Sequence, residues 1–113
     1  MNSAILSHLA AFNDPREGIR EFAARKLACY GAEAAPLLIE LLAEQGGYSQ
    51  ECAALALQEM GPPAIPFLVA ALQHENKKTR WQAAVILAAM GEPAHQAVRE
   101  SKRLKLDQNL AAS

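Results

Sequence analysis

Three stretches decide the fold: "YGAEAAPLLIELL" (Tyr30–Leu42), "MGPPAIPFLVAAL" (Met60–Leu72) and "MGEPAHQAVRESK" (Met90–Lys102). Aligned on Gly31, Gly61 and Gly91 they recur every 30 residues without a gap, and self-similarity at such a period marks a repeat architecture. The segments before the glycines, "REFAARKLACYG", "QECAALALQEMG" and "RWQAAVILAAMG", share the register. They place Ala24, Ala54 and Ala84 in one column and Leu27, Leu57 and Leu87 in another. Each unit reads as two helices. The first carries small and apolar residues at helical spacing and ends at the glycine, which tolerates the left-handed conformation that closes a helix. The second starts just after it, because Pro36 and Pro66 lack an N–H and so fit a first helical turn, where that donor has no intrahelical partner.

The bulk numbers agree. A chain of 113 residues fits one domain and buries about two-thirds of its unfolded surface. It is 51% hydrophobic but only 5% aromatic, and the excess is Ala and Leu, which favour helix over strand. The pattern predicts an all-α fold: a leading helix near 3–12, helix pairs near 15–45, 47–74 and 77–106, and a frayed tail from 107 to 113. No basic leader and no run of 18 apolar residues occurs, so a soluble, cytoplasmic protein without a membrane partner is expected. Cys29 and Cys52 fall seven residues apart in the repeat frame, about 10 Å along a helix axis. That exceeds the roughly 7 Å Cα separation that a disulfide spans, so two free thiols are expected, as small core or boundary residues.

The pattern Gly-x-x-Ala-x-Pro-x-Leu-x-x-x-Leu, with an Arg-x-x-Ala-Ala-x-x-Leu helix beside it, resembles the HEAT-repeat superfamily in its short form, named after phycobilisome lyases. The resemblance runs from about residue 5 to 105. It implies an α-solenoid, a right-handed superhelix of about three helix pairs plus the leading helix, with second helices lining a concave face, and chiefly a scaffold function. The family's Asp-to-Arg ladder, six residues apart, is kept as Asp14 with Arg20 but altered to Glu44 with Gln50 and His74 with Arg80, which predicts weaker hydrogen bonding in the later units.

Columns that are apolar in both interior units form the core: Ala34 with Ala64, Ala35 with Ile65, Leu38 with Leu68, Ile39 with Val69, and Leu42 with Leu72. They follow one helical stripe. Leu37, Leu41, Phe67, Ala70 and Ala71 are surplus to that stripe. On the family geometry they face the concave side, either as an apolar docking patch or, where the short superhelix closes over them, as ordinary core. On the docking reading, Phe67→Ala weakens partner capture and leaves thermal stability nearly intact. Trp81 stands where the earlier units have Glu21 and Glu51, as a partner anchor or as packing for a tail carrying Leu104, Leu106 and Leu110.

The third second-helix has Arg99 and Lys102 in core columns, the form expected of a terminal cap, and neither end is expected to keep an uncapped apolar face. Residues 77–105 contain Lys77, Lys78, Arg80, Arg99, Lys102, Arg103 and Lys105 against Glu92 and Glu100, a local charge of +5 within a chain of net charge −1. This basic end either guides an acidic partner or nucleic acid, or complements a helix C-terminus as a solvated cap. Self-association between unlike ends is a further reading.

Catalytic and metal chemistry finds no constellation here. His8 and His95 fall in core columns of the terminal units, and His74-Glu75 lies in a turn. The family's di-iron hydroxylases carry His-Glu pairs within first helices, where this chain has Glu21-Phe22, Glu51-Cys52 and Trp81-Gln82. Phosphate loops, nucleophile elbows and paired-cysteine motifs are also missing from the sequence. The expectation is a non-enzymatic adaptor without cofactor or metal. It binds a segment of another protein through Leu37, Leu41, Phe67, Ala70 and Ala71 with Trp81. The alternatives are nucleic-acid or acidic-partner binding at the basic end, or an accessory subunit of a lyase-like enzyme.

Overall fold

The computed structural model describes residues 2–45 and 47–112, with side chains through Leu104. Seven α-helices occupy the described residues, and no strand does: α1 (Ser3–Ala10), α2 (Glu17–Ala28), α3 (Ala35–Leu41), α4 (Ser49–Met60), α5 (Ile65–Ala71), α6 (Lys77–Met90) and α7 (Glu92–Ala112). Three single-turn 3-10 segments, Ala11–Asn13, Gly31–Glu33 and Pro62–Ala64, precede α2, α3 and α5. The tail expected beyond residue 106 is instead a continuation of α7. Any contact of Trp81 with Leu106 or Leu110 lies outside the described residues.

The helices form two layers. In one, α2 packs on α4 and α4 on α6; in the other, α3 packs on α5 and α5 on α7. The layers interlock because each second helix also packs on the first helix of the next unit: α1 on α2, α3 on α4 and α5 on α6. The stack is elongated, 52 × 27 × 24 Å, with a Cα radius of gyration of 15.0 Å. A compact chain of this length would have about 13 Å.

One continuous core runs along the stack. Leu27, Leu38, Leu42, Leu57 and Leu68 are each 0% exposed and Leu87 2%, so the leucine columns are the ones the repeat alignment identifies. The column of Ala34, Ala64 and Ala94 is buried in all three units. Small residues there let backbones approach closely. Phe12, 0% exposed, fills the N-terminal end of this core beside Ile5.

The helix ends follow local chemistry. Asn76 accepts from the Lys78 and Thr79 N–H groups through Oδ1, capping α6. Asn2 caps α1 in the same way through the Ala4 N–H. Pro36 and Pro66 sit in the first turns of α3 and α5, as their missing N–H requires. Gly61 and Gly91 close α4 and α6 at φ 72°, ψ −143° and φ 89°, ψ −154°. Their positive φ is as expected, but the region is not the left-handed helical well. It is a more extended one open essentially to glycine alone.

The altered ladder keeps its hydrogen bonds at the His74–Arg80 step, because the arginine bonds to the main chain, as it does in the first unit. Arg20 Nη1 donates to the Asp14 carbonyl at 2.9 Å, and Arg80 Nη1 donates to the His74 and Glu75 carbonyls at 2.7 and 3.0 Å. The identity of side chain 74 is therefore immaterial to the Arg80 bonds. Other contacts cross between units. The Arg20 guanidinium lies 3.6 Å from the Tyr48 ring centroid, and Lys78 Nζ donates to the Glu44 carbonyl at 3.1 Å. His74 Nδ1 accepts the Asn76 N–H, so the neutral ring carries its proton on Nε2, which faces Glu40 Oε1 at 3.3 Å.

Cys29 and Cys52 are free, Cys29 exposed and Cys52 buried. Burial pushes the Cys52 thiol pKa up, which keeps it protonated and unreactive.

Candidate functional site

The repeat frame shows which surface is unfinished. In the first unit the face of α2 and α3 that looks toward the C-terminal end is sealed: Ala24, Ala35 and Leu38 are 0% exposed and Ile39 7%. What seals it is α4, packed on both helices. On the equivalent face of the last unit, formed by α6 and α7, no further helix stacks among the described residues. Ala84, the counterpart of Ala24, and Ala88 are exposed, while Leu72 and Val98 are half-buried.

This open slot is a groove of about 560 Å³ between α6 and α7. Ala84, Leu87, Ala88 and Val98 form its floor, and His95, Arg99 and Lys102 form the wall on α7. Arg99 and Lys102 occupy the columns of Ile39 and Leu42, so the floor keeps the apolar character of a repeat interface and one wall has become cationic. Leu72 joins the groove to a second depression of about 670 Å³ lined by Lys77, Lys78, Arg80 and Trp81. Trp81 is 64% exposed and Val85 45%. Among the described residues this end therefore carries an exposed apolar face, contrary to the reading of the second helices alone. The same holds at the other end, where Phe22 is 57% and Ile19 38% exposed on α2.

The basic residues are not equivalent. Arg80 and Lys78 are spent on main-chain carbonyls of the stack. Arg99 Nη2 lies 3.5 Å from Glu92 Oε2 in an exposed pair. Lys77, Lys102 and Arg103 have no partner among the described residues, and the Lys105 side chain lies outside them. His95, in a column of core residues, is exposed. Its Nε2 meets the Ala88 carbonyl at 3.3 Å, which fixes the proton on that nitrogen and ties α7 to α6.

The structure divides the concave candidates. Leu37 and Leu41, both half-buried, line a cleft of about 450 Å³ with Leu9, Glu40 and Glu44. Phe67 does not join that lining: it is half-buried and packed against the core. Ala71 is 4% exposed and Ala70 exposed. Sequence reasoning brought Trp81 and the basic residues forward separately, and the fold joins them on one face. It did not find Ala84, Val85 and Ala88. Their signal was present: "RWQAAVILAAM" changes no outward column to a charged residue as the adjoining second helix does.

His8 is half-buried, its ring 6.4 Å from those of Phe22 and Tyr30. Among the described residues no group of three or more His, Cys, Asp and Glu side chains gathers to hold a metal ion. No single helix there is long and apolar enough to cross a membrane.

The family of HEAT repeats matches residues 47–107, more than half of the chain and the whole of the open face. The chain belongs to the HEAT-repeat family. Members are generally protein-interaction scaffolds, and the stacked helix pairs are the family's frame. No curated protein matches the chain.

Proposed function

We propose that this HEAT-repeat protein is a small binding scaffold of the short-repeat type. Its helix pairs wind as a right-handed superhelix, it acts by docking rather than catalysis, and it takes a segment of another protein on the open α6–α7 face with Trp81 as anchor. The observation that carries this reading is the exposure of Ala84, whose first-unit counterpart Ala24 is buried against α4, in a patch with exposed Ala88 and Trp81 and a half-buried Leu72. A contiguous apolar surface with a tryptophan at its edge is the usual anatomy of a protein-binding hot spot. Covering the exposed part of a side chain that buries up to about 250 Å² removes roughly 150 Å² from water, about 3–4 kcal/mol before association costs. Micromolar binding corresponds to about −8 kcal/mol net, so Trp81 supplies part of the affinity and the apolar floor and its flanking charges supply the rest.

A second reading keeps the cleft of Leu9, Leu37 and Leu41, which is apolar at its base and acidic at its rim through Glu40 and Glu44. The two are separated by comparing partner capture from the native cell by the wild type and by Ala88→Arg and Leu41→Arg variants, each first checked for native helicity. Loss confined to Ala88→Arg supports the open face. Loss confined to Leu41→Arg moves binding to the cleft.

A further inference from the structure

Resting on that reading, we infer that the occupant of the open face is an acidic amphipathic α-helix, seated beside α6 and α7 as α4 is seated beside α2 and α3. The repeat itself dictates the shape of the occupant. The floor residues Ala84 and Val98 hold the columns of Ala24 and Leu38, both 0% exposed in the first unit, while Leu87 stays buried as Leu27 does. A surface whose equivalent accepts a helix in the first unit has the right spacing and the right small side chains to accept another, since alanine at the contact lets helix axes approach closely.

Charge fixes the chemistry of the occupant. Where the first unit presents Ile39 and Leu42, the last presents Arg99 and Lys102, so a helix with an apolar residue against that wall would leave cations facing a dry interface. Carboxylates there meet Lys102 on one side, and at the far end of the groove meet Lys77, neither of which has a partner among the described residues. The local charge of +5 over residues 77–105 draws such a helix in and repels a basic one. A second copy is a poor occupant on both counts. Its own open face brings the same excess of bases, and the apolar end of its α2 carries Lys26, with Nζ 5.4 Å from the Phe22 ring. A nucleic acid satisfies the bases but not the alanine and valine floor.

Trp81 is the only tryptophan in the chain, so its emission reports directly on this face in the intact protein. Four probes without tryptophan are titrated: a capped sixteen-residue helix with an Ala/Leu stripe and glutamates elsewhere, the same peptide with lysine for every glutamate, the acidic peptide with two central prolines, and an oligothymidylate of similar length. The acidic helix is expected to blue-shift the emission saturably, with affinity falling as salt rises. The lysine and proline peptides should bind at least tenfold more weakly. Lys77→Glu with Lys102→Glu should weaken the acidic helix roughly tenfold or more, and Ala88→Arg should abolish it. Equal binding of the lysine or proline peptide overturns the acidic helix as occupant while leaving the face in place. Tighter binding of the oligonucleotide replaces it with nucleic acid. Failure of every probe to move the emission also overturns the inference, whereas the open face itself stands or falls on whether Ala88→Arg retains the native partner.

Discussion

Phe67→Ala separates the two readings that the sequence leaves open. As a docking anchor Phe67 could be removed with stability nearly intact; in the fold it is half-buried and packed against the core. Removing a fully buried Phe costs about 3–5 kcal/mol, so a half-buried one is expected to cost about 2 kcal/mol. Two neighbours calibrate the scale. Leu68, 0% exposed, should lose about 2–5 kcal/mol as Leu68→Ala. Trp81, 64% exposed, should change stability by less than about 0.5 kcal/mol as Trp81→Ala. In urea, with a slope near 1.5 kcal/mol/M, a loss of 2 kcal/mol lowers the midpoint by roughly 1.3 M. Equilibrium unfolding monitored by far-UV circular dichroism resolves that shift easily. The order of midpoints should be wild type and Trp81→Ala highest, Phe67→Ala intermediate and Leu68→Ala lowest. A Phe67→Ala midpoint within about 0.3 M of wild type would refute its assignment to the stack.

Gly61→Ala places a Cβ at φ 72°, ψ −143°, a region open essentially to glycine, and should cost about 1–3 kcal/mol by thermal or urea unfolding even though its Cβ would meet nothing within 4 Å. Thr79 is 0% exposed and its Oγ1 has no hydrogen-bond partner among the described residues. Thr79→Val should therefore be neutral or stabilise by about 1 kcal/mol, and a clear destabilisation would show that the hydroxyl has a partner such as ordered water. Asp14 accepts from Arg16 Nε, Nη2 and the Arg16 N–H, and the Arg16 side chain lowers its pKa from 3.8 to about 2. Its contribution is thus present above pH 3.8 and lost as pH falls through about 2; carboxyl NMR titration should find it still ionised at pH 3, and rising toward the ordinary value in Arg16→Ala.

The fold was legible because three units serve as controls for one another. A column holding Leu27, Leu57 and Leu87 has no explanation but a shared core position, and each of them is buried. Prolines in first turns were equally readable, because their chemistry is local. The His74–Arg80 step of the ladder was misread because Arg80 bonds to carbonyls, which every residue supplies, and side-chain identity says nothing about them. Phe67 and Ala71 were ambiguous for a different reason. How far a short superhelix closes over its inner columns depends on the angle between units, and no residue pattern states that angle. The open face was overlooked because an alanine is core or surface depending on whether another helix stacks against it: Ala24 is sealed by α4, while Ala84, the same residue in the same column, is not.

The most direct test of the account is a map of backbone amide shifts in the labelled protein as the acidic helical peptide is added. Changes centred on Ala84, Ala88, Val98 and Lys102, with Leu37, Leu41 and Phe67 undisturbed, are the expected result. Changes centred on Leu37, Leu41 and Phe67 instead would place binding on α3 and α5 and contradict the claim that the exposed α6–α7 face is the docking face.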